Sequence, residues 1–219
     1  MITASDIKNN EAIRTYIKTA DSALCALGYT EHSFAHVCKV ADTAKNLLLD
    51  LGFSQRTAEL SWIAGYMHDI GNVVNRIDHA QSGAVMAFRI LDKLGADAED
   101  ISVIISAIGN HDEATAYPVN EVAAALILAD KTDVRRSRVR NDDFATFDIH
   151  DRVNYAVTSA DLSLDEAKTK LTLCLELDSE ISPVMDYFEI FLERMLLCRK
   201  AAEKLGLSFR LVINGQKVM

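Results

Sequence analysis

The sequence predicts a mainly α-helical protein in which a helical bundle is followed by a small C-terminal α+β appendage. Two observations predict this fold class. Up to about residue 145, apolar residues recur at the three- and four-residue spacing of amphipathic helices. Beyond about residue 150, short runs alternate apolar and polar residues in the manner of strands, and a long helical segment separates them. We therefore expect a helical domain over residues 1–145 and a β-β-α-β appendage over residues 146–219.

Six helices are expected in the first part, over residues 6–27, 30–52, 55–69, 79–94, 98–109 and 121–133. Residues with good N-cap side chains precede four of them, namely Ser54, Asp78, Asp97 and Asn120. In the appendage, apolar residues alternate at Val153, Tyr155 and Val157, at 171–177 and at 209–213, around a helix over 183–205. We expect its strands to be antiparallel, and expect the appendage to cover the helical domain or form a homodimer contact without carrying chemistry.

The composition excludes several classes of protein. Of the 219 residues, 49% are hydrophobic, which is enough for a sizeable core. The net charge of -9 argues against a protein that binds nucleic-acid polymers, because such proteins need a basic face. The sequence predicts neither a signal peptide nor a membrane span. Its four scattered cysteines are typical of a reduced, cytoplasmic protein.

The most informative motif is the run Met67-His68-Asp69-Ile70-Gly71, which follows an apolar helical segment. A buried charge must be paired or bound to a metal. Neighbouring helical side chains point about 100° apart, so His68 and Asp69 are not expected to pair with each other. A metal site at the helix end satisfies both residues. For a His-Asp pair alone, the competing interpretation is a core histidine followed by a helix-terminal aspartate.

Further histidines and aspartates favour the metal site. Candidate ligands distributed over five predicted helices are His36, His68, Asp69, His79, His111 and Asp130. A helical bundle can bring such residues to one centre. Imidazole and carboxylate ligands suit first-row metals, and the absence of cysteine from the set argues against a structural zinc site.

These residues give the chain a resemblance to the HD-domain metal-dependent phosphohydrolases over roughly residues 30–140. The matching pieces are the segment that begins at His36, the sequence His68-Asp69-Ile70-Gly71, and Ala129-Asp130-Lys131. The resemblance implies an HD-domain helical bundle in which His36, His68, Asp69 and Asp130 hold one divalent metal. It also implies that Asp69 bridges to a second metal held by His79 and His111. Fe, Mn, Ni, Co and Zn are the expected metals.

Two positions depart from the pattern of the family. Asn72 stands where many two-metal relatives carry lysine, and Asn110 precedes His111 where cyclic-dinucleotide phosphodiesterases carry a second histidine. Both departures argue against a cyclic-dinucleotide substrate. The second metal would then be completed by water or by His32, which otherwise lines the mouth of the site. His150 is expected to be a surface or interdomain residue.

The resemblance implies hydrolysis of a phosphomonoester, phosphodiester or phosphoanhydride through a metal-activated water. Asp69 and Asp130 would hold the metals and orient the water. From their position and charge, Lys131 and one or both of Arg135 and Arg136 are expected to bind substrate phosphate. The acidic chain favours a small nucleotide or phosphometabolite as substrate. Competing interpretations are a di-iron HD-fold oxygenase and a non-catalytic metal-binding sensor.

The arginines after Asp130 have two possible roles. If the helix continues past Asp130, Arg135 returns near the face of that aspartate and can reach a bound phosphate. Arg138 and Arg140 would then face solvent. The competing interpretation makes the whole cluster a solvated, salt-bridged surface, as charge runs usually are.

Overall fold

The computed structural model describes all 219 residues as nine α-helices and one four-stranded sheet. The helices are α1 Ala4–Lys8, α2 Glu11–Ala26, α3 Phe34–Asp50, α4 Gln55–Met67, α5 His79–Lys93, α6 Ala98–Gly109, α7 Glu121–Lys131, α8 Ile149–Ala156 and α9 Val184–Lys204. The strands are β1 Val157–Leu164, β2 Lys170–Leu177, β3 Ser208–Ile213 and β4 Gln216–Lys217. Short 3₁₀ helices span Ile70–Val73, Arg136–Arg138 and Phe144–Thr146. The predicted fold class is confirmed, a helical domain with a small C-terminal sheet.

Side-chain caps fix where several helices begin. Ser54 and Asn120 accept hydrogen bonds from backbone amides at the starts of α4 and α7, as expected. Asn10 does the same for α2, and it therefore splits the single helix expected over residues 6–27 into α1 and α2. Asp78 and Asp97 directly precede α5 and α6, but their side chains make no capping hydrogen bond.

Helix α7 lies at the centre of the molecule. Every residue from Val122 to Ala129 is buried, so the helix is covered on all sides. It ends at Lys131, two residues before the predicted end at 133, and the chain then turns away. Arg135 was expected to lie near the face of Asp130 only if the helix continued, and the end of α7 at Lys131 therefore removes that expectation.

The loop after α4 passes very close to α5. A Cβ atom added at Gly71 would overlap the backbone carbonyl of His79 and the backbone amide of Gly83. Only glycine lets these two segments approach so closely. This contact holds Asp69 and the start of α5 side by side.

The appendage differs in two respects from its prediction. Val153 and Tyr155 lie in α8, so the alternation that predicted a strand there was wrong, and the first strand starts at Val157. The strand order is β1-β2-β3-β4, and β2 pairs with β3 in parallel rather than antiparallel fashion. The parallel pair follows from the crossover through α9, which returns the chain to the same end of the sheet.

Two hydrophobic cores meet at α7. One is formed by α1–α7 and includes Ala125 and Leu126. The other is formed by α8, α9 and the sheet, and it includes Ala124, Ile127 and Leu128 of α7. The division of the chain after residue 145 stays a prediction. None of the helices has the length and apolar character that crossing a bilayer would require.

Candidate metal centre

Four of the predicted ligands converge at the ends of three helices. His36 lies in the first turn of α3, His68 and Asp69 directly follow α4, and Asp130 lies in the last turn of α7. His36 Nε2 is 3.3 Å from Asp130 Oδ1 and 3.8 Å from Asp69 Oδ2. His68 Nε2 is 3.3 Å from Asp69 Oδ2 and 3.7 Å from Asp130 Oδ1. Ligand atoms at such spacing can reach a single ion.

The other two histidines face the opposite oxygen of Asp69. His79 begins α5, and its Nε2 is 3.4 Å from Asp69 Oδ1. His111 follows α6, and its Nε2 is 3.2 Å from His79 Nε2 and 4.0 Å from Asp69 Oδ1. The two carboxylate oxygens of Asp69 therefore point to two different groups of histidines.

The hydrogen bonds of the four histidines suit metal ligation. Each ring uses Nδ1 away from the centre: His36 with Asp133 Oδ2 at 2.8 Å, and His68, His79 and His111 with backbone carbonyls at 2.6–3.0 Å. A proton held on Nδ1 by these acceptors leaves the Nε2 lone pair free to bind a metal. The buried Nε2 atoms of His36 and His68 have no hydrogen-bond partner. These residues fit divalent metal ions.

The centre favours ionised carboxylates. Burial acts to raise the pKa of Asp69, but its interactions with His68 and other nearby histidines outweigh it and hold that pKa well below its usual range. Burial likewise acts to raise the pKa of Asp130, and Lys131 with the histidines outweighs it. Burial, together with the nearby charges of His68 and Lys131, lowers the pKa of His111 to about 3. The carboxylates and the neutral imidazole of His111 are therefore in the states that bind metals.

Asp133 is a residue that the sequence analysis missed. Its side chain is fully buried and supports His36 from behind. It also forms an ion pair with Lys39 at 2.8 Å, accepts a hydrogen bond from Arg135 at 3.0 Å, and lies 3.8 Å from Arg138. The sequence does show this aspartate three positions after Asp130. Because the predicted helix ran to residue 133, Asp133 was treated as its last residue and given no role of its own.

The candidate centre borders a polar cavity of about 550 Å³. Only 3 of its 18 lining residues are hydrophobic. Asp69, His79, His111 and Asp130 form part of its wall. Four cationic side chains from separate segments also line it: Arg76, Lys131, Arg138 and Arg194. A cavity of this kind can hold a small anionic molecule next to bound metal.

Lys131 lies in the cavity wall as expected of a substrate contact, whereas Arg135 does not. Lys131 Nζ is 2.7 Å from Asp130 Oδ2 and 3.3 Å from Glu113 Oε2. Arg135 is instead held by Asp133 and by Glu31, each at 3.0 Å. The structure therefore directs Arg135 away from the cavity that it was predicted to serve.

The expectation that Arg138 faces solvent was wrong. Arg138 is buried, donates through Nη1 to the Asp133 carbonyl and through Nε to the Glu31 carbonyl, and still lines the cavity. Arg140 is half-buried and pairs with Asp21. The chain turn after Lys131 produces this inward direction of Arg138, and helical periodicity could not predict it.

His32, whose role was left open, and His150, which was expected to be a surface or interdomain residue, both line the cavity. The ring of His32 is 5.4 Å from that of His36, and its Nδ1 is 2.6 Å from the Thr30 carbonyl oxygen. His150 belongs to α8, so the appendage forms part of the cavity wall, which its prediction did not include.

The side chains of the two asparagines that depart from the family pattern make different contacts, one with a predicted ligand and the other with a backbone carbonyl of α6. Asn72 donates to Asp69 Oδ1 at 2.9 Å and so helps to orient that carboxylate. Asn110 donates to the Ser106 carbonyl and does not supply a ligand.

Comparison with known proteins agrees with this geometry. Residues 33–135 match the HD domain family, and this range contains all six predicted ligands. The match falls in the helical part of the chain and agrees with the resemblance to HD-domain proteins. Members of this family are typically metal-dependent hydrolases.

An uncharacterized protein of Methanocaldococcus jannaschii, MJ1020, is similar to the chain. The two are 25% identical over 157 residues, which cover 62% of this chain. The chain spans about 60% of the length of that relative.

Proposed function

We propose that the protein is a metal-dependent phosphohydrolase with a binuclear centre, which acts on a small nucleotide or phosphometabolite. The observation that carries the proposal is the position of Asp69, whose Oδ2 faces His36 and His68 and whose Oδ1 faces His79 and His111. A carboxylate with histidines on both sides is suited to bridge two ions. The family match supports the same chemistry.

Each residue of the centre has a role in this proposal. His36, His68, Asp69 and Asp130 would hold one metal, and Asp69, His79 and His111 would hold the other. Divalent metals bound there would polarise the phosphoryl group and lower the pKa of a water molecule. Lys131, fixed between Asp130 and Glu113, presents its ammonium group at the cavity wall and would neutralise phosphate charge.

The cavity supports a small polar substrate. Its volume of about 550 Å³ suits a nucleotide-sized molecule, and its lining is mostly polar. The formal charge of the whole chain is -9, whereas four cationic and four acidic side chains line the cavity, so its lining is formally neutral. Such an arrangement favours a short anion over a long polyanion.

The test is a screen of phosphate esters and anhydrides with protein reconstituted with Mn²⁺ or Fe²⁺ under anaerobic conditions. We expect phosphate release from the wild-type protein and its loss in Asp69→Ala, together with loss of metal. Asp92→Ala, an exposed aspartate on α5, is the matched control and should keep both. Oxygen consumption without phosphate release would favour the oxygenase interpretation, and metal binding without turnover would favour a sensor.

A further inference from the structure

Arg194 of α9 lies outside the HD domain yet lines its cavity. Its Nε is 2.5 Å from Glu113 Oε1, and its guanidinium carbon lies 4.6 Å from the centre of the Phe191 ring. One edge and one face of the guanidinium group are therefore fixed. Neither terminal nitrogen, Nη1 nor Nη2, has a hydrogen-bond partner within the protein.

A chain of charged contacts joins Arg194 to the candidate metal centre. One carboxylate oxygen of Glu113 contacts Arg194 Nε, and the other lies 3.3 Å from Lys131 Nζ. Lys131 is in turn 2.7 Å from Asp130. Arg194 thus faces the same part of the cavity as Lys131 and Asp130.

The other cations of the cavity have less capacity to bind an anion. The single ammonium group of Lys131 already contacts two carboxylates, which weakens but does not remove its attraction for phosphate, and Arg138 already donates to two backbone carbonyls. Arg76 Nη1 lies 3.4 Å from both Asn72 and His79, beside the second group of ligands. Arg194 is the cation whose two terminal nitrogens remain available on the Lys131 side.

We propose that Arg194 binds the phosphate group of the substrate through its two terminal nitrogens. The appendage would then complete the active site of the HD domain and help to determine its substrate. This inference rests on the proposed phosphohydrolase function. A guanidinium group can donate two parallel hydrogen bonds to a phosphate. Because Glu113 and Phe191 already fix its orientation, little conformational freedom is lost on binding.

The experiment measures binding of inorganic phosphate to Mn²⁺-loaded full-length protein by calorimetry, with metal content and thermal stability recorded for each variant. Arg194→Ala should bind phosphate roughly tenfold to hundredfold more weakly, as expected for loss of a charge-assisted contact. Arg194→Lys should recover only part of the affinity, because an ammonium group cannot make the paired contact. Arg199→Ala is the matched control, since Arg199 is exposed on the same helix and does not line the cavity.

Metal content should be the same in all four proteins. Phosphate binding by Arg194→Ala within about twofold of wild type would overturn the assignment, while leaving the proposed function intact. Loss of metal in Arg194→Ala would also overturn it, because Arg194 would then act through Asp130 rather than on the substrate. Absence of both phosphate binding and phosphate release in the wild-type protein would overturn the proposed function, and this inference with it.

Discussion

Substitution of Asp133 by asparagine should weaken metal binding although Asp133 is not a predicted ligand. Its Oδ2 accepts from His36 Nδ1, and its Oδ1 accepts from Arg135 and forms an ion pair with Lys39. Asparagine has the same shape but only one oxygen. In either orientation of the amide, its NH₂ group meets a donor in place of an acceptor, and the negative charge is lost.

The magnitude follows from the burial of these groups. Asp133 is fully buried and Arg138 nearly so, and breaking a buried ion pair costs about 3–5 kcal/mol. Since one kcal/mol shifts the midpoint by about 2–4 °C in a chain of this size, the melting temperature should fall by roughly 6–20 °C. Loss of the hydrogen bond that orients a histidine ligand typically weakens metal affinity by about 10–100-fold.

The assay for Asp133→Asn is competition for Mn²⁺ or Zn²⁺ with a chromophoric chelator, together with thermal unfolding of the metal-free protein. Asp100→Asn is the matched control, because Asp100 is partly buried and, like Asp133, pairs with an arginine, here Arg56 outside the candidate centre. It should lower stability without changing metal affinity. Wild-type metal affinity in a folded Asp133→Asn protein would refute the argument that Asp133 orients His36.

Three further predictions concern other parts of the molecule. His111→Ala should remove the second metal and leave the first, as measured by metal analysis after reconstitution; retention of both would contradict the second ligand group. Gly71→Ala should lower the free energy of unfolding by at least about 1–3 kcal/mol in denaturant titration, because the added methyl group overlaps the backbone of α5. At about pH 8, exposed Cys25 should react with a thiol reagent, while Cys198 should stay unreactive until the protein unfolds. The reason is that burial raises the pKa of the Cys198 thiol to about 12, which keeps it protonated at that pH.

The sequence predicted the helical part well because its signals are local. Apolar spacing located α3 to α7, and the side chains of Ser54 and Asn120 marked helix starts that the structure confirms. The errors have local causes too. Asn10 is as good an N-cap as Ser54, but it lies inside a continuous apolar pattern and was taken as part of one helix. Val153 and Val157 are both two residues from Tyr155 and four from each other, so the same residues fit a strand or a helix.

The sequence predicted only the part of the candidate site that is formed by motifs in a recognisable order along the chain. The histidines and aspartates of the resemblance converge in space as expected, although their role as ligands stays a prediction. Arg194 could not be found in this way, because it meets Glu113 across 81 positions and no periodicity relates the two. Arg135 was given a role that depended on two more residues of helix, and the end of α7 at Lys131 removed it.

The sharing of α7 between the two hydrophobic cores has a consequence for folding. Ala125 and Leu126 belong to one core, and Ala124, Ile127 and Leu128 belong to the other, so separating the cores exposes one apolar side of this helix. Neither half can then open without a large loss of burial in the other. We therefore expect the whole chain to unfold in a single cooperative transition. The contacts of Asp130, in the last turn of α7, should persist until that transition begins.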